Sequence, residues 1–183
     1  MIELSKRMSL ISEIVNQKPS LGKTAMMKFI FILQQVYKVP IGYDYEIYTY
    51  GPYSSNVMED IQLATDFDAI SMKTVVFPTG HSGYALKPTD NTDDIIKKEQ
   101  DYINLYSASI SNVISIFGNK TAKELELSST IIYVYSNYSN NKWDNSITEI
   151  SKSVKEIKPH FDIDLIKEEY RNLDTLGILE KAV

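Results

Sequence analysis

Residues 21–38 read LGKTAMMKFIFILQQVYK, and this stretch constrains the fold more than any other. Met26, Met27, Phe29, Ile30, Phe31, Ile32 and Leu33 leave almost no polar face along it. A helix that is apolar nearly all round must be covered on several sides, so it is expected at the centre of the core. With 183 residues, 43% hydrophobic and 23% charged, the chain has enough material to cover it. The word Gly22-Lys23-Thr24 resembles the end of a phosphate-binding loop. The full pattern needs a glycine five positions earlier, where Gln17 stands, so nucleotide binding is set aside.

Elements in sequence order build around that helix. Leu4, Met8, Ile11 and Val15 mark an amphipathic helix over about 3–16, and Lys18-Pro19-Ser20 ends it with Ser20 placed as the next cap. Tyr43 to Tyr50 is β-prone and alternates with Asp44 and Glu46; Gly51-Pro52 is expected to end this strand. Ser54 or Ser55 then caps a helix over about 55–65. Ala69 to Val76 reads as a strand, PTGHSG as a turn and Tyr84-Ala85-Leu86 as the returning strand. This order predicts an α+β, mostly helical protein: a winged-helix-like core with a β-hairpin wing over residues 1–90. A helical extension over 91–183 is expected to pack with it as one unit.

In the extension, Ile96, Ile103, Tyr106, Ile110, Val113 and Phe117 give a helical stripe with one missed position. The five from Ile103 onward form a seam that serves the monomer core first and a homodimer second. Thr121 with Glu124 and Ser146 with Glu149 have capping-box spacing. Residues 136–145, SNYSNNKWDN, read as a polar loop, and a last helix carries Leu165, Ile166, Tyr170 and Leu173 to an end near Gly177.

Composition excludes several kinds of chemistry. There is no cysteine, which removes disulfides, thiolate metal sites and thiol catalysis. His81 and His160 have no ligand-spaced partners and read as loop histidines, so no metal or cofactor is expected. Asp162 and Asp164 are explained as helix-start residues, and no serine sits in a nucleophile setting. A non-catalytic protein is the expectation. The charged start MIELSKRMSLISEIV does not make a signal peptide, and no apolar run approaches the roughly 20 residues of a bilayer span. A cytoplasmic location without a membrane partner follows as the expectation.

The net charge of −5 weighs against a protein living mainly on nucleic acid. The helix before the wing carries Glu59, Asp60, Asp66 and Asp68 and no Lys or Arg. Asn56 and Gln62 could read base edges, with Lys23, Lys28, Lys73 and Lys87 as phosphate contacts. DNA binding is therefore the second functional reading.

The first centres on YTYGPYSS. In a regular strand Tyr48 and Tyr50 share a face with Asp44 and Glu46. These tyrosines either pack a strand-to-helix corner or form a protein-binding surface, since Tyr is enriched among interface hot spots. KTAMMKFIFILQ followed by YGPYSSNVMEDIQLA and GYALKPTD resembles the bacterial YwgA-like family and, more distantly, the Panacea (SocA-type antitoxin) domain. That resemblance covers about half the chain. It implies a winged-helix-like core with added helices, and the likeness to Panacea, a domain of phage-associated genes, implies an antitoxin that neutralises a partner toxin. It also implies that Tyr50, Gly51, Pro52, Tyr53 and Ser54 form a recurring turn and part of a contact surface, with Tyr48 beside them.

Overall fold

The computed structural model describes residues 1–76 and 82–183; most of the expected PTGHSG turn, with His81, lies outside them. The chain is α+β and mostly helical, with nine helices and five strands among the described residues.

The first helix, α1 (Leu4–Gln17), buries Met8, Leu10, Ile11, Ile14 and Val15. Strand β1 (Leu21–Gly22) follows, then α2 (Lys23–Gln35), in which every residue from Met26 to Leu33 is buried. The expected cap at Ser20 does not form. The Ser20 amide donates to Leu86 O at 2.7 Å and its φ is 70°, because the chain joins a sheet before turning into α2.

The stretch expected as one strand over Tyr43 to Tyr50 is instead the first arm of a hairpin. Strand β2 (Glu46–Tyr48) pairs antiparallel with β3 (Gly51–Tyr53), with Ile47 opposite Pro52. Gly51-Pro52 thus opens a strand rather than ending one. Proline is tolerated here because this two-stranded ribbon consists of edges only. Helix α3 (Ser55–Asp66) starts after Ser54, whose side chain makes no capping bond.

Strands β4 (Ile70–Val76) and β5 (Ser82–Pro88) form the second hairpin, and β1 joins it to give the order β1-β5-β4. Leu86 is shared, opposite Leu21 on one side and Met72 on the other. Helix, strand, two helices and a hairpin closing a three-stranded sheet is the winged-helix order, with β2–β3 inserted between α2 and α3.

The helical stripe breaks at Glu99 into α4 (Thr92–Lys98) and α5 (Gln100–Phe117), where the spacing misses a step. Helix α4 lies on α1, with Ser9 Oγ donating to Ile95 O at 2.8 Å. Ile103, Ile110, Val113 and Phe117 are buried within the chain's own core and Tyr106 packs against it, so this seam is not free for a dimer.

Helix α6 (Ala122–Asn140) has the expected capping box at Thr121 and Glu124. It runs through the first half of the expected polar loop, because Val134 and Ser136 stay buried and keep the helix covered. The remaining helices are α7 (Ile147–Ile157), α8 (Ile163–Thr175) and the short α9 (Ile178–Lys181). Ser146 precedes α7 without a side-chain capping bond, so the second capping box is absent. The buried apolar residues form one cluster running from α1 to α9 across the expected boundary near residue 90. No described helix is long and apolar enough to cross a membrane.

Candidate functional site: a tyrosine hairpin clamped from below

The β2–β3 hairpin lies against the middle of α6, where LELSSTII is buried on every side. Small side chains let the backbone approach. Gly51 has φ +90°, and a Cβ there would stand 3.1 Å from both Ser129 Oγ and Thr130 Oγ1. Its positive φ calls for glycine, and a side chain there would also press on the two hydroxyls.

Two buried lysines hold the hairpin from beneath. Lys28, from the apolar helix α2, donates from Nζ to Pro52 O at 2.6 Å. Lys158, just beyond α7, donates to Tyr48 O at 2.9 Å and also to Thr49 O. Glu126 of α6 places Oε1 3.0 Å from Lys158 Nζ, a close ion pair without hydrogen-bond geometry. His160 Nε2 lies 3.4 Å from the same oxygen. Side-chain ammonium groups thus satisfy carbonyls that the narrow ribbon leaves unpaired.

The Lys28 amine is lowered to about 8, first by burial and then by Lys158, with Glu126 opposing. A folded value below the unfolded 10.5 means that the unfolded chain binds more protons between the two. Stability then rises with pH across that window. Wild type should therefore gain about 2 kcal/mol relative to Lys28→Met between about pH 7.5 and about pH 9.5. Urea titrations of both proteins measure this; a difference that stays flat with pH would contradict it. Comparison with the variant cancels the buried tyrosines, whose raised values act in the opposite direction above their ordinary range.

Above this clamp, Tyr48 and Tyr50 are 62% and 63% exposed. The Tyr53 ring is half-buried and lies 5.6 Å from that of Tyr48. Gly51, Pro52 and Ser54 are buried, so their part is to shape the hairpin while the tyrosines present its surface. Tyr48 shares an exposed face of β2 with Glu46, as expected, while Asp44 precedes the strand and Tyr50 sits in the turn where the chain reverses.

The residues considered for DNA contact are not brought together. Lys28 is buried under the hairpin, and Lys23 is half-buried with Nζ 5.0 Å from the Tyr84 ring centroid. Asn56 and Gln62 are exposed on α3, the latter bonded to Asp66 at 2.8 Å. Lys73 and Lys87 are exposed, and their register puts them on one face of the β4–β5 hairpin. Asp60, counted among acids facing phosphate, is instead buried and paired with Arg7 at 2.6 Å.

Sequence reasoning missed Glu126 and Lys158, and it placed Lys28 on the surface. One signal was available, since a lysine inside the most apolar helix must have a buried partner. Among the described residues, no group of three His, Asp or Glu side chains is placed to hold a metal. The large apolar cleft of about 350 Å³ between α1 and α4 shares no residue with the hairpin and brings no acid–base cluster together. No family model matches the chain, and no curated protein is significantly similar to it.

Proposed function

We propose that this chain is a non-catalytic regulatory protein that binds another protein through the β2–β3 hairpin, in the manner of an antitoxin and in a phage or defence setting. The observation that carries this reading is the contrast at the hairpin. Its backbone is fixed by Lys28, Lys158 and the Gly51 notch, while Tyr48 and Tyr50 stand more than 60% exposed. Large rings held on a rigid support lose little entropy on binding, which is how interface anchors work. The resemblance of YGPYSS to the YwgA-like and Panacea families supports the same reading.

Capture from the native host with the tagged chain, with and without nuclease, tests it. A stoichiometric partner that survives nuclease is expected. Tyr48→Ala and Tyr50→Ala should each weaken its binding by about 2 kcal/mol, or roughly thirtyfold. Both side chains are exposed, so circular dichroism should show unchanged folding. Partner binding that is indifferent to both changes would remove the hairpin from the interface.

The winged-helix order favours a second reading, a DNA-binding regulator that uses Asn56, Gln62, Lys73 and Lys87. Recovery only of nuclease-sensitive material, with steep salt dependence, would put that reading first.

A further inference from the structure

At the open end of the β2–β3 hairpin, where its strands part, lies a recess of about 260 Å³. Asp44, Tyr45 and Glu46 line one side, and Tyr53, Ser55 and Asn56 line the other. We infer that this recess receives an arginine side chain from the protein that docks on the tyrosine hairpin, an inference that rests on the proposed function above.

The lining carries carboxylates, hydroxyls and an amide, and no cationic side chain. Asp44 and Glu46 are exposed, and neither has an ion-pair partner among the described residues. The nearby lysines do not offset them. Lys28 and Lys158 are turned beneath the hairpin, with their ammonium groups held by backbone carbonyls. Negative charge therefore faces solvent while the positive charge lies below. The start of α3 is close by, but a helix N-terminus is worth about half a positive charge against two full carboxylates.

A guanidinium fits this arrangement better than an ammonium. It offers five donors in a plane, suited to two carboxylates and an amide oxygen together. It also stacks on an aromatic face, which Tyr53 supplies and Tyr48 continues at 5.6 Å. From the recess the aromatic surface leads to Tyr50 at the turn, so one docked segment would fill the recess and cover the exposed rings.

The test uses the whole chain and three fluorescein-labelled peptides in which glycine alternates with six arginines, six lysines or six glutamines. Anisotropy titrations at physiological salt should show the arginine peptide binding at least tenfold more tightly than the lysine peptide, and the glutamine peptide not binding. The doubly substituted Asp44→Asn/Glu46→Gln protein, nearly isosteric at two exposed positions, should lose that preference together with at least tenfold in affinity. Equal affinity for arginine and lysine, no binding, or an undiminished preference in the double variant would each overturn the inference. Failure of the protein-binding reading shows elsewhere, in the absence of a nuclease-resistant partner. A partner lost on Tyr48→Ala but retained by the Asp44→Asn/Glu46→Gln protein would leave that reading standing and overturn only the arginine assignment.

Discussion

Lys158→Met should destabilise the protein by about 3 kcal/mol and loosen the tyrosine hairpin before the rest of the fold. Methionine fills a similar volume, so the loss comes from charge and hydrogen bonding rather than from a cavity. Tyr48 O and Thr49 O lose their donor, and the buried Glu126 carboxylate loses its closest cation. An uncompensated buried charge is the costly element, since removing one member of such a pair costs more than removing both. Adding Glu126→Gln should therefore recover part of the loss. Lys28 and His160 remain near Glu126 and limit the damage, which sets the expectation at the low end for a broken buried pair. Urea unfolding gives the magnitude, and hydrogen exchange of residues 46–53 gives the location. A cost below about 1 kcal/mol with unchanged exchange would show that Lys158 does not clamp the hairpin.

Asp60→Ala is expected to cost about 3–5 kcal/mol, the largest effect of a single surface-distant change. Asp60 joins three segments that are far apart in sequence. Its carboxylate accepts from Arg7 Nε at 2.6 Å and from a second guanidinium nitrogen at 3.3 Å, both from α1. It also accepts from the Tyr43 hydroxyl in the connection between α2 and β2. The partners respond accordingly. Hydrogen bonding to Asp60 raises Arg7, while burial, followed by Asp60, raises the Tyr43 phenol. Alanine would leave a guanidinium that is only 12% exposed and a buried hydroxyl without their shared acceptor. Asp60→Asn keeps the shape and one acceptor, so it should cost clearly less. Thermal or urea unfolding of the two variants decides the matter; equal and small losses would show that the network contributes little.

The hairpin and the Asp60 network bear on each other. Tyr43 lies three residues before β2, and Asp60 lies on the helix that β3 leads into. The same buried bonds that tie α1 to α3 therefore fix both ends of the segment carrying Tyr48, Tyr50 and Tyr53. Rigidity at the proposed interface comes from charge buried on two sides, by Lys28 and Lys158 below and by Asp60 behind.

The sequence alone marked most of the helices and the helix at the centre of the core, though not that α6 continues to Asn140 or that α9 follows Gly177. Apolar spacing is a local property, and the run from Met26 to Leu33 leaves no alternative to a central helix. The winged-helix order was equally legible, since turn residues and β-prone runs mark its strands. Only the tertiary structure decided where charge goes. Lys28, Asp60, Glu126 and Lys158 look like surface residues one at a time, because an isolated charge belongs in water. Each becomes buried because a partner far away in sequence meets it there, 24 residues from Lys28 to Pro52 and 53 from Arg7 to Asp60. The reversal at Tyr48-Thr49-Tyr50-Gly51 was hidden for the same reason. Gly51-Pro52 has the composition of a strand end, and it becomes a strand start only because α6 offers a notch of Ser129 and Thr130 for the glycine to enter.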